Sequence, residues 1–524
     1  MKPLSPHWAD IAAIKILKSR EEKKSYVLAS GITPSGKVHI GNFREVITVD
    51  LVARALKDLG KDVRFIYSWD NFDTFRKVPK NLPDPASFEK YLHRPIARIP
   101  DPWHEAESYA QGRITLFEKE LQEVGINPEY KYQEKKYSQG DYSQGIQHAL
   151  VNKDKIKEIL NAHRTTPLKD DWLPTSIYCS HCEKDQMVSQ SFTAPWDYSY
   201  ECSCGVKETV DIRTTKNLKL IWRVDWPMRW EYEKVDFEPG GKDHSSQGGS
   251  YDTGKKIVAE IWKQEAPSYL QYDFVKIKGG SGKMSSSTGE LYTLAQVLEI
   301  YEPQIARWIF ANQRPNHDFA IAFDQDVIKI YEEFDKAENL AFSEAPKKPG
   351  KWLGNKRTYE LSCVSGSMPS KKPLRASFRL LCTRLQICDG DLDRTFERFY
   401  SDFVEKHDIN LFFQRARRAA HWLKQYAPTE FKYTLHQEPA PIKLMDKQEK
   451  AILALREMIN DTDLDSIEPS QLNSLIWEKA IHGCDCEPND AFQAVYQKLI
   501  GRDQGPRLPN FLKEIGKERL LKLL

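Results

Sequence analysis

The fold of this chain is decided by the stretch Tyr26-Val27-Leu28-Ala29-Ser30-Gly31-Ile32-Thr33-Pro34-Ser35-Gly36-Lys37-Val38-His39-Ile40-Gly41-Asn42. Its first five residues form an apolar run of strand length that ends at Gly31, and a loop rich in small residues follows. Residues 43–59 then repeat apolar side chains with the period of a helix. The stretch therefore predicts a strand, a loop and a helix, in that order.

The residues that follow repeat this unit. After a turn at Gly60, residues 61–69 alternate like a short strand, which we expect to lie parallel to the first one. Residues 76–102 are rich in proline and lack a period, so we expect an irregular segment there. A helical pattern resumes over residues 105–125. Repeated strand and helix units of this kind predict a parallel α/β architecture.

The second half of the chain changes character. Residues 218–230 and 268–277 are apolar and are expected to rejoin the main sheet, whereas strand signals fade after about Leu294. We predict an α/β fold: a Rossmann-like parallel-sheet domain with an inserted Cys-rich module, followed by an all-α C-terminal region. The expected segments are the first part of the α/β domain (1–175), the inserted module (176–212), the second part of the α/β domain (213–293), a helical connector (294–345) and the α-helical region (346–524).

Composition limits the classes of protein that fit. The chain has 524 residues, 40% of them hydrophobic, and a formal net charge of +2. This is the composition of a folded multidomain protein, in which nucleic-acid binding would depend on local basic patches. The charged run over residues 18–24 leaves no apolar stretch for a signal peptide or membrane span near the start. We expect a cytoplasmic protein without membrane partners, and a monomer by default.

The loop after the first strand is suited to binding phosphate. Small residues let the backbone approach a nucleotide closely, a helix N-terminus attracts anions, and His39 can donate to a phosphate oxygen. The pattern Thr-Pro-Ser-Gly-x-x-His-Ile-Gly-Asn resembles the HIGH signature of class I aminoacyl-tRNA synthetases. We expect this loop to bind ATP, with His39 as a catalytic residue, through Pro34, Ser35, Gly36, His39, Gly41 and Asn42.

A second loop resembles the KMSKS loop of the same enzymes. Its sequence is Gly279-Gly280-Ser281-Gly282-Lys283-Met284-Ser285-Ser286-Ser287-Thr288-Gly289. A lysine ammonium on a flexible loop can follow the triphosphate as negative charge moves to leaving pyrophosphate. We expect Lys283 to be catalytic and Met284, Ser285 and Ser286 to contact ATP. Ser286 stands where many of these families have a second lysine.

Three further strings narrow the resemblance. They begin at Trp69-Asp70-Asn71-Phe72-Asp73, at Trp222-Arg223-Val224-Asp225-Trp226 and at Gly240-Gly241-Lys242-Asp243-His244. They look like class I lysyl-tRNA synthetase, and with the two loops the resemblance covers residues 26–290 strongly. It implies ATP, L-lysine and tRNA(Lys) as substrates, with Mg²⁺ accompanying the triphosphate. It also implies attachment at the 2′-hydroxyl and a need for tRNA during activation.

A lysine site needs apolar walls along the methylenes and opposite charges at the two ends. Trp222, Tyr269 and Tyr272 are candidate aromatic walls, and Asp225 or Asp243 could neutralise an ammonium. The resemblance implies that Gly31, Thr33, Trp222 and His244 line the amino-acid pocket. On residue type alone, a tryptophan in this chain is more readily a core residue than a ligand.

Four cysteines have the spacing of a structural zinc site. Cys179 and Cys182 form one close pair and Cys202 and Cys204 the other, and four thiolates of this kind bind tetrahedral Zn²⁺. Buried cysteines or a knuckle that no longer binds metal remain the alternative. We expect a structural Zn²⁺ in the inserted module.

The helical region is expected to bind tRNA. Basic side chains there alternate with aromatic ones, an arrangement that suits phosphates and stacked, unpaired bases, although a charged helix face is usually only solvated. The resemblance implies that residues 346–524 bind the anticodon. The candidates are Arg375, Arg379, Arg384, Arg415, Arg417, Arg418, Phe378, Phe412, Phe413 and Trp422.

Together with the resemblance, these features predict a lysine–tRNA ligase that forms lysyl-tRNA, AMP and pyrophosphate through lysyl-adenylate. The sequence leaves open a class I synthetase for another amino acid, such as glutamate or arginine, and a small-molecule nucleotidyltransferase. It also leaves open a relative that binds tRNA or lysine without joining them, for which Ser286 is the main argument.

Overall fold

The structure is a computed structural model that describes residues 4–80, 82–279, 292–399, 403 and 405–524. The chain forms two compact units. Unit 1 comprises Met1–Ile321 and Ala337–Met368, and unit 2 comprises Ala322–Lys336 and Pro369–Leu524.

The described strands are β1 (Ser25–Ile32), β2 (Asp62–Trp69), β3 (Glu129–Tyr132), β4 (Thr175–Ile177), β5 (Met187–Thr193), β6 (Asp197–Cys202), β7 (Lys207–Asp211), β8 (Leu218–Leu220), β9 (Phe237–Gly241), β10 (Ser268–Tyr272), β11 (Val275–Ile277) and β12 (Phe319–Ile321). The first thirteen α-helices are α1 (Trp8–Ser19), α2 (Ile40–Asp58), α3 (Pro85–Phe88), α4 (Tyr109–Glu123), α5 (Gln133–Ser138), α6 (Ser143–Val151), α7 (Lys153–Asn161), α8 (Trp222–Glu233), α9 (Ser250–Ile261), α10 (Leu294–Leu298), α11 (Pro303–Ala311), α12 (Asp326–Ala341) and α13 (Gly350–Ser362). The remaining ones are α14 (Phe378–Ile387), α15 (Leu392–Glu397), α16 (Lys406–Gln425), α17 (Asp446–Asp461), α18 (Pro469–Ile476), α19 (Pro488–Ile500), α20 (Leu508–Ile515) and α21 (Lys517–Leu523).

Unit 1 is built on a parallel sheet with the strand order β10-β9-β1-β2-β3. β1 and β2 pair along their whole length, from Ser25 opposite Asp62 to Ile32 opposite Trp69. β1 is buried because it lies in the middle of the sheet, between β9 and β2. The carboxyl ends of parallel strands meet at one edge, where ligands bind in open α/β sheets. The Rossmann-like α/β prediction is confirmed.

Two apolar segments differ from the prediction. Residues 218–230 do not rejoin the main sheet: β8 pairs antiparallel with β4, and the tryptophan-rich part is helix α8. Trp222, Trp226 and Trp230 are four residues apart and therefore share one face of that helix. An apolar run of this length cannot be assigned to strand or helix by periodicity alone.

The segment 268–277 was predicted correctly in its first half. β10 is the edge strand of the main sheet, next to β9. β11 instead pairs with β12, a short strand within the region expected to be helical after Leu294. Three-residue strands such as β12 are too short to leave a period in the sequence.

The inserted module is a small antiparallel sheet of the order β5-β6-β7, and the β4–β8 pair connects it to the rest of unit 1. Tyr178, Tyr198 and Tyr200 are buried at its base. They belong to a hydrophobic cluster that also contains residues of α6, α7 and α8. The module is therefore packed against the α/β domain as well as connected to it covalently.

The described residues of unit 2 form helices joined by loops. Leucine and isoleucine side chains from α17 to α21 form a hydrophobic cluster, which includes Leu455, Leu499 and Leu512. The predicted all-α C-terminal region is confirmed. Among the described residues, none of the helices combines the length and the apolar character that crossing a membrane requires.

Candidate active site

The N-terminus of α2 carries the first predicted phosphate loop. His39 is the residue before the helix: its Nδ1 accepts a hydrogen bond from the Gly41 N–H at 3.1 Å, and its own N–H donates to Asn42 Oδ1 at 3.0 Å. Because Nδ1 is an acceptor here, the ring proton is on Nε2. His39 lines the adjacent cavity, so the loop offers an imidazole N–H and a helix N-terminus to an anion.

A cavity of about 580 Å³ lies beside this loop, at the carboxyl ends of β1 and β9. It brings together most of the predicted ATP-binding residues of the first loop with several predicted amino-acid-binding residues. Pro34 is buried within the loop. The predicted residues that line the cavity are Gly31, Thr33, Ser35, Gly36, His39, Gly41, Asn42, Trp222, Asp243, His244 and Tyr272.

A smaller inner chamber of about 60 Å³ adjoins this cavity. Its apolar walls include the three tryptophans of α8, and Glu45, Asp70 and Glu238 provide carboxyl groups. The two spaces share five lining residues: Gly31, Glu45, Asp70, Trp222 and His244. A narrow chamber with aromatic walls and carboxyl groups is complementary to an alkyl chain that carries a positive charge.

Glu45 lies at the junction of the two spaces. It accepts hydrogen bonds from Tyr272 Oη at 2.5 Å and from the Gly31 N–H at 3.1 Å. Burial raises the pKa of Glu45 to about 8, although both hydrogen bonds oppose this shift. A cation that enters the junction would favour the ionised form.

Glu238 and Asp70 are two further acidic groups of the chamber, which Glu233 also lines. Glu238 accepts a hydrogen bond from Trp230 Nε1 at 2.6 Å, and burial raises its pKa to about 7. Burial also raises the pKa of Asp70, against the opposing charge of Arg229, whose Nη1 lies 2.7 Å from the Asp70 carboxylate. The chamber therefore contains carboxyl groups whose charge depends on what enters it.

Gly31 is required by close packing in this region. A Cβ at this position would lie 2.8 Å from the Ser68 carbonyl oxygen on the neighbouring strand. Any larger side chain would press on β2 or fill the junction between the two spaces.

Two predicted amino-acid-binding residues have other surroundings. Asp225 is buried, accepts a short hydrogen bond from Tyr137 Oη and is paired with Arg229 at 3.2 Å. Tyr269 stacks on Tyr251 with ring centroids 3.8 Å apart and is hydrogen-bonded to Ser245. Neither Asp225 nor Tyr269 is among the residues that line the two spaces just described.

The second predicted ATP loop falls largely outside the described residues. Lys283, Met284, Ser285 and Ser286 all belong to that part of the chain. The described chain resumes at Tyr292, whose carbonyl accepts a hydrogen bond from the Ile40 N–H at 2.8 Å. The described chain thus resumes beside the N-terminus of α2.

The four predicted metal ligands come together in the inserted module. The sulfur atoms of Cys179, Cys182, Cys202 and Cys204 all lie within 4.8 Å of one another. Cys179 Sγ is 3.6 Å from Cys204 Sγ, and Cys182 Sγ is 3.6 Å from Cys202 Sγ. Tetrahedral Zn²⁺ with Zn–S bonds of about 2.3 Å requires sulfur separations of roughly 3.8 Å. The thiol set therefore fits a structural zinc ion.

Several residues that were predicted to bind RNA are buried or paired with carboxylates in unit 2. Arg415 is buried and paired with Asp335 at 2.9 Å, and Arg384 is paired with Glu514 at 2.5 Å. Phe378, Phe412 and Trp422 are buried in the core. The prediction that these residues form an exposed stripe is wrong, because the aromatic positions on these helices face the interior and the arginines neutralise carboxylates beside them. Arg379 and Arg417 are exposed.

A cavity of about 570 Å³ lies on unit 2. It combines arginines, aromatic rings and side-chain amides, and Glu430 and Glu514 add carboxyl groups. The residues that carry these groups are Arg379, Arg502, Arg507, Phe431, Tyr433, Phe511, Gln386, Gln504 and Asn510. Sequence analysis missed most of them because they come from α14, α20 and two loops that only the fold brings together.

Sequence analysis also missed Glu45, Asp70 and Glu238. Glu45 and Asp70 follow the phosphate loop and β2 closely, so the rule that functional groups collect at the carboxyl ends of parallel strands could have found them. Glu238 lies within β9, where only the tertiary structure shows that its carboxyl group meets the tryptophan face of α8.

The chain was compared with known proteins. The sequence profile of a family described as "tRNA synthetases class I (K)" matches residues 6–365. A lysine–tRNA ligase of Treponema pallidum is 44% identical over 99% of this chain and 98% of that protein. A lysine–tRNA ligase of Thermococcus kodakarensis is 41% identical over 99% of each. A solved glutamate–tRNA ligase of Elizabethkingia meningosepticum superposes with a TM-score of 0.41 and 14% identity over 95% of this chain and 98% of that one.

Proposed function

Because the chain belongs to the class I tRNA synthetase (K) family, we propose that it joins L-lysine to tRNA(Lys) at the expense of ATP. The observation that carries the proposal is the junction of the loop cavity and the inner chamber at Gly31, Glu45, Asp70, Trp222 and His244. One side is suited to a nucleotide and the other to a cationic side chain.

The inner chamber supports lysine as the amino acid. Its volume of about 60 Å³ admits roughly four to six water-sized groups, comparable with the aminobutyl side chain. The ε-ammonium would be neutralised by Glu45, Glu238 or Asp70, and Trp222 would cover the methylenes. The neutral side chains of most amino acids would leave these buried carboxyl groups without a charged partner, and a carboxylate side chain would add repulsion.

The outer cavity supports ATP as the second substrate. In the first step a lysine carboxylate oxygen attacks the α-phosphorus, and the bond from that phosphorus to the pyrophosphate oxygen breaks. His39 Nε2–H and the N-terminus of α2 would stabilise the charge that develops on the α-phosphate. Lys283 would neutralise the leaving pyrophosphate. Mg²⁺ when bound supplies charge neutralisation at the triphosphate.

In the second step a hydroxyl of the terminal tRNA adenosine attacks the lysyl carbonyl and releases AMP. The resemblance to the family supports the 2′-hydroxyl as the first acceptor and the cytoplasm as the location. Unit 2 is proposed to contact the tRNA, and its arginine and aromatic cavity is the surface that we favour for an unpaired base. We propose that these tasks are divided among the segments predicted from the sequence. Residues 1–175 and 213–293 would carry out catalysis, residues 176–212 would bind zinc, residues 294–345 would connect the two regions, and residues 346–524 would bind the anticodon.

The zinc site supports the fold of the inserted module. Cys179, Cys182, Cys202 and Cys204 are proposed to hold Zn²⁺, which would join the turn before β5 to the β6–β7 turn at one end of the sheet. The ion is assigned a structural role because four thiolates leave no open coordination position for a substrate.

The test is pyrophosphate exchange into ATP, measured with each of the twenty amino acids, with and without tRNA. We expect exchange with lysine, in the presence of tRNA. Replacing Lys283 by Ala should slow this exchange by orders of magnitude without changing the melting temperature. Exchange driven by glutamate or arginine, or no exchange with any amino acid while the protein still binds tRNA, would overturn the proposal.

A further inference from the structure

The short segment Phe72–Thr74 connects the active-site cavity to the inserted Cys module. Asp73 faces the cavity: its carboxylate accepts a hydrogen bond from Thr33 Oγ1 at 2.7 Å. The other carboxylate oxygen accepts a hydrogen bond from Lys219 Nζ at 2.5 Å. Lys219 belongs to β8, one of the two strands that connect the module to the domain.

The strand that leads into the module, β4, is followed by a residue that contacts the same segment. Tyr178, which directly follows β4, donates from its hydroxyl to the Phe72 carbonyl at 2.9 Å. Lys219 Nζ contacts that same carbonyl oxygen at 3.3 Å. Side chains from both connecting strands, or directly next to them, therefore contact the Phe72 carbonyl oxygen.

The turn that carries the first cysteine pair makes a further contact. Asp185 accepts a hydrogen bond from Thr74 Oγ1 at 2.9 Å, and its other oxygen lies 3.0 Å from His93 Nδ1. Its backbone N–H donates to the His93 carbonyl at 3.0 Å. The Asp185 side chain is only 8% exposed although the module around it is small.

The position of Asp185 depends on the cysteine turn. The Cys179 N–H donates to the Lys184 carbonyl at 3.0 Å, and the Glu183 N–H donates to the Cys179 carbonyl at 3.0 Å. Asp185 is the next residue after this closed turn. The geometry of the cysteine cluster is thus transmitted to Asp185 by two backbone hydrogen bonds.

We propose that Asp185 and Lys219 are positioning residues through which the docked Cys module fixes Thr33 in the wall of the outer cavity, where the carboxylate of the amino acid must reach the α-phosphate, and so determines the affinity for the amino acid. One path leads from the cysteine turn through Asp185 to Thr74. The other leads from β8 through Lys219 and Asp73 to Thr33. The inference rests on the proposed function, since that function brings the reacting carboxylate of lysine into the cavity that Thr33 lines.

The opposing account is that these contacts only anchor the module. In that case their loss would lower the stability of the protein and leave the amino-acid affinity of the folded fraction unchanged. The two accounts differ in the KM for lysine, which an anchor alone does not affect once the protein is folded.

The test compares Thr74→Val, Thr74→Ser and Asp185→Asn in the full-length, metal-loaded protein. Thr74→Val keeps the shape and removes the hydroxyl donor, whereas Thr74→Ser retains it. We expect the KM for lysine to rise about 5–10-fold in Thr74→Val, corresponding to the loss of one buried hydrogen bond to a charged group, and by about 2–5-fold in Asp185→Asn, whose amide oxygen still accepts from Thr74 but carries no charge. The KM for ATP and kcat should stay within about twofold, and Thr74→Ser should restore the wild-type KM.

Lys207→Ala is the matched control, because Lys207 is exposed on the same module and pairs with Glu201 at 3.2 Å, away from the Phe72–Thr74 segment. Thermal melting and zinc content establish that each variant is folded. An unchanged KM for lysine in folded Thr74→Val and Asp185→Asn overturns the inference. If the wild-type protein activates a different amino acid, the proposed function fails, and the same KM comparison with that amino acid still decides the inference.

Discussion

His39 shows how one side chain can serve both the fold and the chemistry. Its Nδ1 caps α2 while Nε2 carries the proton beside the cavity. The reciprocal bond from the His39 N–H to Asn42 fixes the backbone of the same turn. Substitutions that keep the helix cap made by Nδ1 but remove the Nε2 donor therefore distinguish an effect on stability from an effect on catalysis.

Replacing His39 by Asn should retain the cap and remove the Nε2 donor. We expect adenylate formation to slow by about 10²–10³, as on loss of one preorganised donor, with little change in melting temperature. His39→Ala should show the same kinetic loss and also about 1 kcal/mol of destabilisation from the missing cap. Single-turnover kinetics and thermal melting measure the two effects. Equal melting temperatures for both variants would contradict the capping role.

We expect Glu45 to make lysine binding depend on pH. Its pKa of about 8 means that the carboxyl group is mostly protonated at pH 7, whereas an ammonium binds the carboxylate. Binding below pH 8 therefore requires release of a proton, and the affinity should increase as the pH rises towards 8. The KM for lysine should fall by up to about tenfold per pH unit between pH 6 and 8.

Glu45→Gln is the corresponding variant. It should bind lysine more weakly and lose the part of this pH dependence that Glu45 contributes, because an amide does not ionise; Glu238, with a pKa of about 7, keeps its own part. Glu265→Gln, at a side chain that is 83% exposed, is the control and should retain the wild-type profile. A pH profile in Glu45→Gln that matches the wild type would exclude Glu45 as the ammonium partner.

At the scale of elements, we expect the inserted module to depend on a bound metal for its order. Its three short strands have few buried side chains of their own, and the cysteine thiols lie in the turn before β5 and at the β6–β7 turn, at one end of the sheet. A structural Zn²⁺ contributes directly to the folding free energy of a module of this size.

Cys182→Ser should remove bound zinc and destabilise the module by several kcal/mol. Metal content by mass spectrometry and protection of β5 and β6 from hydrogen exchange are the measurements. Cys484→Ser is the control, because Cys484 lies outside the cluster. Full zinc content in Cys182→Ser would show that this thiol is not a ligand.

At the scale of the whole molecule, the net charge of +2 provides no general attraction to RNA. Affinity for tRNA must therefore come from local groups, and the cavity of unit 2 supplies three arginines beside aromatic rings. Arg507 is an exposed member of this group and is the N-cap residue of α20.

Arg507→Ala should raise the KM for tRNA by about 3–10-fold and leave lysine- and ATP-dependent steps with saturating tRNA unchanged. If Arg507 contacts a phosphate, the slope of log affinity against log salt should fall by about one; if it contacts a base, discrimination among anticodon variants should relax instead. Lys450→Ala, an exposed position on α17 outside the cavity, is the control. Equal tRNA affinities for both variants would exclude this cavity as a contact surface.

The sequence by itself determined the parallel α/β core, the inserted Cys module and the helical C-terminal region. It also indicated the four cysteines that the fold brings together and predicted two loops for ATP, of which the second falls largely outside the described residues. These features are local: a strand, its phosphate loop and the next helix are consecutive, and ligand spacing is visible within a few dozen residues.

Only the tertiary structure decided how the chamber is built and which basic side chains are exposed. Glu45, Asp70 and Glu238 come from three separate elements, and their pKa values shift because packing removes water from all three. Likewise, Arg415 and Trp422 are residue types that suit an RNA-binding surface, but both lie in the core of unit 2. Burial depends on contacts between residues far apart in sequence, and no local pattern encodes such contacts.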